Sequence, residues 1–207
     1  MAHIPDGVLS LPVLVGGGVL AAGAVAVGLK RITDLEIPRV AILASGFFAL
    51  SLFAVPVGPS SVHLLLGGLM GIVLGPAIFP AVFVALLLQA VMFGFGGLTT
   101  LGVNVVNIAL PGAVIGTLCA PLIARATPKR AALIAGLASA LAVACTGLLV
   151  ACSLALSSAD YTLSARVMIA TYIPLMIVEG LVGGFCISFV KRVKPELLAP
   201  LQSEAAQ

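Results

Sequence analysis

Long apolar runs follow one another along this chain with hardly a polar linker between them, and this pattern constrains the fold more than any other feature. Of the 207 residues, 61% are hydrophobic and 8% are charged, whereas a soluble domain carries about a quarter of charged residues. So little polar surface cannot cover an exterior exposed to water. The pattern predicts an all-α membrane protein, folded as a single helical bundle over residues 1–207.

The lengths of the runs predict seven transmembrane helices, because each crossing needs about 20 apolar residues. The third run is short: about 13 residues at 1.5 Å each cover roughly 20 Å of a hydrocarbon core about 30 Å thick. We therefore expect its outer end to lie inside the membrane, with Ser60 or Ser61 capping the helix and His63 in its first turn. The predicted helices cover residues 10–29, 37–56, 62–75, 79–96, 105–125, 131–156 and 165–190.

Basic residues set the expected orientation. In a seven-helix topology nine of the ten lysines and arginines lie on one side, and only Arg166 lies on the other. The positive-inside rule makes the basic side cytoplasmic. The amino terminus is then outside and the carboxyl terminus is cytoplasmic, with a bundle over residues 9–192 and a cytoplasmic tail over residues 193–207. The nine residues are Lys30, Arg31, Arg39, Arg125, Lys129, Arg130, Lys191, Arg192 and Lys194.

Other classes of protein are disfavoured by composition. The net charge of +3 does not indicate a nucleic-acid partner, because the basic residues cluster at the ends of apolar runs, next to membrane lipid. The four cysteines lie inside apolar runs without CxxC spacing, which favours packing over a disulfide or zinc site. Lys30 is the first basic residue, so we expect no cleaved signal peptide and a mature chain that keeps residues 1–8.

The two histidines of the chain, His3 and His63, are expected on the same outer face. A terminal amine, the backbone nitrogens that follow it and an imidazole can close fused chelate rings around one divalent ion, a donor set that suits nickel or copper. Pro5-Asp6-Gly7 is typical of a tight turn that would fold the start of the chain inward. A lone histidine at a membrane interface is more often structural, but the pair favours a metal site over residues 1–8 and His63.

Polar residues around this pair have two possible roles each. Asp6 is expected to hydrogen-bond an imidazole N–H or the turn backbone, and a plain Asx-type turn is the alternative. The glycine-rich segment 94–104 is either a flexible connection or a covering loop, in which Thr99, Thr100 and Asn104 offer polar atoms to the backbone of the site. Ser60 and Ser61, in the same outer region, are further candidates for supporting the metal ligands from behind.

Glu179 is the only ionisable residue well inside a predicted span. Such a residue is a functional candidate by default. A lone acid without a second acid or a basic partner makes a poor proton relay, so we expect a hydrogen-bonded structural role.

Several segments carry a family resemblance. Together they resemble the CbiM/NikM family, the metal-capturing S subunits of energy-coupling-factor importers, over essentially the whole chain. The resemblance implies a seven-helix subunit whose first helix carries the amino terminus into a pocket, where nickel or cobalt is bound by the terminal amine, a backbone nitrogen and two imidazoles. The segments are His3-Ile4-Pro5-Asp6-Gly7, whose form favours nickel, Gly58-Pro59-Ser60-Ser61-Val62-His63-Leu64, Leu74-Gly75-Pro76, Gln89-Ala90 and Gly96-Gly97-Leu98-Thr99-Thr100-Leu101-Gly102-Val103-Asn104.

One position departs from the family motif, which starts Met-His, because Ala2 intervenes here. If Met1 is kept, its amine, the amides of Ala2 and His3 and the His3 imidazole already supply four nitrogens. If Met1 is removed, the Ala2 amine, the His3 amide and the His3 imidazole supply three, and His63 completes the square. By analogy with the family geometry we expect the second state.

The resemblance also implies partners. These are a membrane scaffold (T) subunit, ATP-binding subunits and a small accessory membrane subunit, in the cytoplasmic membrane of a prokaryote. In six-helix relatives a face of small residues on the first helix meets the scaffold, and this corresponds to the second helix here. Small residues allow close helix approach in lipid. The docking face would be Ala41, Ser45 and Ala49.

The leading hypothesis is therefore a capture subunit that is not an enzyme and holds no cofactor, with Ni²⁺ or alternatively Co²⁺ as transported substrate. The chain has no G-x-x-x-x-G-K-[ST] phosphate loop, so it would need separate ATPase subunits. The alternative is a stand-alone secondary transporter or channel for divalent metals, which should show intramembrane acids or a polar path. A metalloenzyme would need a general base and an open coordination position.

Overall fold

The computed structural model describes residues 3–53, 55–57 and 60–198, and these residues are almost entirely helical. A short antiparallel hairpin is the exception, with β1 (Val55–Val57) paired to β2 (Ser60–Val62). The helices of this part of the chain are α1 (Leu11–Leu29), α2 (Ile37–Ser51), α3 (Gly67–Leu74), α4 (Ile78–Phe93), α5 (Leu101–Arg125), α6 (Pro128–Ser157) and α7 (Thr162–Val193). Proline stands in the first turn of α1, α2 and α6, where its missing N–H costs no hydrogen bond.

Apolar surface covers the outside of the bundle. Five apolar stretches among the described residues are long enough to cross a membrane; α3 and α4 together count as one of them, Gly67–Phe93, and the 15-residue α2 is shorter. Large side chains such as Leu118, Leu181 and Phe185 are strongly exposed, which suits lipid and not water. The chain is therefore a multi-pass membrane protein. The count of seven spans and the orientation of the termini stay predictions.

The third helix begins later than the sequence predicted. α3 starts at Gly67 with Leu66 as its N-cap, so the predicted cap by Ser60 or Ser61 is wrong and His63 lies outside the helix. The two serines belong to β2 instead. Pairing with the β-branched strand β1 gives the backbone of this segment hydrogen-bond partners without a helix.

α3 lies partway along the bundle. A Cβ atom added at Gly67 would lie 3.4 Å from the carbonyl oxygen of Ile108, so Gly67 lies beside a residue seven positions beyond the start of α5 at Leu101. At 1.5 Å per residue α3 therefore begins about 10 Å further along the bundle than α5 does. The non-helical segment before α3 must reach this depth, as the short apolar run led us to expect.

The chain reverses between α3 and α4. Gly67 lies beside Gly112, and Gly71 lies beside Gly116. Because residue numbers rise together along the two helices, α3 and α5 are parallel. A 3₁₀ turn over Gly75–Ala77 then leads into α4, whose start lies near the middle of α5 and whose end joins the start of α5 through residues 94–100. α4 therefore runs antiparallel to both helices.

Glycines set the distance between α3 and α5. A Cβ atom at Gly71 would lie 1.8 Å from the carbonyl oxygen of Gly112, and one at Gly116 would lie 2.1 Å from the carbonyl carbon of Gly71. The same arrangement joins α6 to α7, where a Cβ at Gly184 would lie 2.7 Å from the carbonyl oxygen of Ala132. Backbones this close need small residues on both faces.

The chain after α7 starts as part of the packed fold. Pro195–Leu198 forms a 3₁₀ turn and Leu198 is buried. Lys191 donates a hydrogen bond of 2.5 Å to the carbonyl oxygen of Ala124, near the end of α5, where helical carbonyls lack partners. Residues 199–207, and Gly58 and Pro59 between the two strands, lie outside the described residues.

Replacing Gly71 by alanine should separate α3 from α5, because the added methyl group has no space. Overpacking of this kind costs about 1–3 kcal/mol and should lower the thermal unfolding midpoint in detergent by about 5 °C. The matched control is Gly23→Ala on α1, where a Cβ atom meets nothing within 4 Å. Equal unfolding midpoints for the two variants would contradict the packing described here.

Candidate metal centre

The two histidines of the chain meet in the structure. The ring centroids of His3 and His63 lie 4.7 Å apart, with their planes inclined by 14°. His3 belongs to the segment before α1, and His63 follows β2. Each is 4% exposed, so both rings are withdrawn from solvent. The fold has brought together two residues that are distant in the sequence.

Hydrogen bonding identifies the free nitrogen atoms of the pair. Nδ1 of His63 lies 3.0 Å from the carbonyl oxygen of Leu64. A carbonyl oxygen only accepts, so Nδ1 carries the proton and Nε2 keeps its lone pair. The Nε2 atoms of His63 and His3 are both buried without a hydrogen-bond partner. An unpartnered nitrogen of this kind on His63, beside the His3 ring, fits a divalent transition metal, for which neutral imidazole is a good ligand.

Both rings are held in the neutral form. Burial lowers the pKa of His3 to about 3, and the neighbouring His63 acts in the same direction. Burial is also the main cause that lowers the pKa of His63. Only a neutral imidazole offers a lone pair to a metal ion. At neutral pH both imidazoles are therefore neutral.

Side chains alone do not complete a coordination sphere. Across the part of the chain that the structure describes, no group of three or more histidine, cysteine, aspartate or glutamate side chains could hold a metal ion. The remaining donors for a metal at this pair would have to be backbone or terminal nitrogens. Met1 and Ala2, which were predicted to supply them, lie outside the described residues.

The segment that carries His3 is held by Asn104. The Ile4 N–H donates to Oδ1 of Asn104 at 3.0 Å, and Nδ2 of Asn104 donates to the Ile4 carbonyl oxygen at 3.0 Å. The Thr100 hydroxyl donates to the same carbonyl at 2.7 Å. All three residues are buried. The amide of Asn104 thus satisfies both polar groups of one residue, as a neighbouring strand would.

Apolar contacts support the same segment. Ile4 and Leu9 are buried in a small cluster with Val103 of α5 and with Val150 and Leu154 of α6. The side chain next to His3 is therefore anchored between two helices. Anchoring on both sides of the backbone fixes the direction of the His3 ring.

Asp6 ties this segment to the loop before α5. Its carboxylate accepts hydrogen bonds from the backbone N–H groups of Leu98, Thr99 and Thr100 at 3.1, 2.9 and 3.3 Å, and from the Thr99 hydroxyl at 2.5 Å. The bond from the Thr99 hydroxyl is the largest cause that lowers the pKa of Asp6, and the three N–H groups act in the same direction. Asp6 therefore bonds the loop and not an imidazole.

Two glycines let the loop approach. A Cβ atom at Gly97 would lie 2.0 Å from Oδ1 of Asp6, and Gly96, with φ +75°, has His3 beside it. Residues 94–100 thus lie over the segment that carries His3, as the predicted covering loop would. Asn104 itself lies in the first turn of α5, which begins at Leu101 and not at the predicted residue 105.

Glu179 of α7 holds the loop that carries His63. Its Oε1 atom accepts hydrogen bonds from the N–H groups of Leu65 and Leu66, the latter at 2.8 Å. Leu66 has φ 50° and ψ 14° and is the one non-glycine residue with positive φ among those described. A left-handed leucine costs of order 1–3 kcal/mol unless its surroundings fix it. Glu179 thus has a hydrogen-bonded role, as expected.

Two other groups of residues were predicted from the sequence. Side chains of Ser60 and Ser61 lie outside what the structure describes. Ala41, Ser45 and Ala49 are exposed together on α2, so this small-residue face is open on the surface.

Sequence reasoning missed the backbone of Ile4 and the two N–H groups beside Glu179. Neither has a local signal, because their partners are distant in the sequence: Leu66 and Glu179 are 113 positions apart. The glycines at 96 and 97 were a signal that the loop is approached closely.

Comparison with known proteins agrees with this architecture. The family model CbiM, described as cobalt uptake substrate-specific transmembrane region, matches residues 3–197. A protein of Haemophilus influenzae named for metal transport is 34% identical over 95% of this chain and 96% of its own length. The fused nickel transport protein NikMN of Rhodobacter capsulatus is 33% identical over 99% of this chain and 66% of its own length.

The fold also matches a solved structure. A crystal structure of a transition metal transporter superposes with a TM-score of 0.77 and 23% identity, over 92% of this chain and 93% of that one. Since the family model covers nearly the whole sequence, the chain belongs to the CbiM family.

Proposed function

We propose that this protein is the metal-binding capture (S) subunit of an energy-coupling-factor importer, which binds Ni²⁺ or Co²⁺ at the outer face for ATP-driven uptake by other subunits. The observation that carries the proposal is the buried contact of His3 and His63, in which the unpartnered Nε2 atom of His63 is free to bind a metal ion. Family membership supports it, because the family is described as substrate-specific and linked to cobalt uptake.

The proposed ligands are nitrogen atoms of the amino-terminal segment and of His63. With Met1 removed, the Ala2 amine, the His3 amide and the His3 imidazole supply three donors, and the His63 imidazole supplies the fourth. Such a nitrogen-rich set suits nickel in a square-planar geometry. Asp6, Thr99, Thr100 and Asn104 hold the peptide in position through the hydrogen bonds described above.

The choice between the two metals rests on the opening motif and on the donor set. The family description names cobalt, and the Rhodobacter capsulatus relative is named for nickel. The Pro5-Asp6 form of the opening motif and the all-nitrogen donor set favour nickel. We propose Ni²⁺ as the substrate, with Co²⁺ as the alternative.

We further propose seven spans in the cytoplasmic membrane of a prokaryote, with the amino terminus outside. Parallel α3 and α5, antiparallel α4 and the basic residues Lys30, Arg125 and Lys191 at the ends of α1, α5 and α7 support this topology. A T subunit, ATP-binding subunits and a small accessory membrane subunit would complete the importer, and the exposed α2 face is the proposed docking surface of the T subunit.

The arrangement of Glu179 argues against a stand-alone transporter. A proton- or ion-coupled carrier needs an intramembrane acid free to exchange its partner, whereas Glu179 is 1% exposed and accepts two backbone hydrogen bonds. A metalloenzyme would need a general base beside the metal, and among the described residues no third histidine, cysteine, aspartate or glutamate joins the histidine pair in a metal-binding group.

Replacing His63 by alanine should abolish or greatly weaken metal retention while the bundle stays folded, because one of the four donors is lost. Nickel content of the purified protein and its far-UV circular dichroism measure the two effects. The control is Thr146→Ala, a buried residue whose hydroxyl bonds within its own helix. Unchanged nickel stoichiometry in His63→Ala would count against the site.

Asn104→Ala should weaken metal binding because the backbone of Ile4 loses two hydrogen bonds. At about 1 kcal/mol each, the loss corresponds to roughly 30-fold in affinity, measured by metal titration. The matched control is Asn107→Ala on the same helix, since Asn107 is also buried but bonds Ser153 of α6. Equal affinities of the two variants would remove the role proposed for Asn104.

Ser45→Leu should impair assembly with the scaffold subunit and spare metal binding, because a bulky side chain would stand in the middle of the small-residue face. Co-purification of the importer subunits measures assembly. Ala22→Leu, at an exposed small residue of α1, is the control for a bulky residue added elsewhere on the lipid face. Normal assembly of Ser45→Leu would place the docking surface on another helix.

A further inference from the structure

Glu179 and His63 are joined through a single peptide group. His63 Nδ1 donates to the carbonyl oxygen of Leu64 at 3.0 Å, and Glu179 Oε1 accepts from the N–H of Leu65. The Leu64 carbonyl and the Leu65 N–H belong to the same peptide bond. The imidazole, the peptide and the carboxyl group therefore form one hydrogen-bonded row from α7 to the histidine pair.

From this row we infer that Glu179 is a positioning residue for His63, which sets the tautomer and the direction of its imidazole for metal binding. The inference rests on the proposed function, since it gives the row its purpose. Metal-binding histidines commonly donate their second ring N–H to a carboxylate or a backbone carbonyl, which fixes the ring and raises its basicity. Here His63 donates to the backbone carbonyl of Leu64, and the carboxyl group of Glu179 binds the N–H of the same peptide.

The direction of the hydrogen bonds in this row determines which nitrogen of His63 carries the proton. A carboxyl oxygen that accepts from the Leu65 N–H polarises the peptide and makes the Leu64 carbonyl a stronger acceptor. The proton of His63 is thereby held on Nδ1, and the unpartnered Nε2 is left as the donor atom. Polarisation of one bond by the next is strongest in a site shielded from water, and Glu179 and His63 are 1% and 4% exposed.

A second hydrogen bond to Glu179 fixes the orientation of the backbone beside His63. The same Oε1 atom accepts from the Leu66 N–H at 2.8 Å, so two consecutive N–H groups are bound to one oxygen. Leu65 and Leu66 are themselves buried. The peptide that carries the His63 partner is therefore fixed by α7, and movement of α7 at this level would turn the imidazole.

Two variants separate this role from mere packing. Glu179→Leu removes the acceptor oxygen, and Glu179→Gln keeps an oxygen at the same place. In metal-free protein, ¹⁵N NMR of the histidine rings should show His63 protonated on Nδ1 in the parent and in Glu179→Gln, and a shift toward the Nε2-protonated form in Glu179→Leu. Metal titration should then give at least about a tenfold loss of Ni²⁺ affinity for Glu179→Leu, largely restored in Glu179→Gln.

The two measurements fail in different ways. If the parent protein binds neither Ni²⁺ nor Co²⁺, the proposed function is wrong, while the NMR comparison still decides whether Glu179 sets the tautomer. If the parent binds Ni²⁺ and Glu179→Leu keeps both the Nδ1 tautomer and the parent affinity, the positioning role is overturned and the function stands.

Discussion

Inside a membrane every backbone polar group needs a partner within the protein, and this constraint explains the two non-helical segments that form the site. The segment around His3 has its N–H and carbonyl groups bound by Asn104 and Thr100. The segment after His63 has its N–H groups bound by Glu179. Polar side chains on α5 and α7 thus replace the hydrogen bonds that a helix would supply, and only for that reason can irregular backbone lie between helices.

Most of the helical architecture could be predicted from the sequence, because long apolar runs interrupted by proline, glycine and charge have few alternatives in a membrane. The ends of α1 and α5 lie at or near residues where basic side chains follow the apolar run. The start of α3 could not be predicted. Serines just before an apolar run favour a helix cap by local preference. Here Ser60 and Ser61 pair with β1 instead, and a strand partner of this kind cannot be recognised from local sequence.

The proximity of the two histidines could be predicted from the sequence, whereas the contacts that support them could not. Two histidines assigned to one face by orientation rules do lie in contact, and the roles of Asn104 and Thr100 follow the polar pattern of the glycine-rich segment. The carboxylate of Asp6 and that of Glu179 bond N–H groups far away in the sequence. Such pairs are set by helix packing, above all by the glycine contacts between α3 and α5 that fix the depth of the His63 loop.

The bond between the Ile4 nitrogen and Asn104 also limits how the peptide can chelate. The Ile4 nitrogen donates its proton to the Asn104 oxygen, so it would lose this hydrogen bond if it gave up the proton to become an anionic ligand. Any chain of fused rings around an ion must therefore stop at residue 3, and it can only extend backward toward the first residue. Asn104 thus determines the last backbone nitrogen of this segment that is available to an ion.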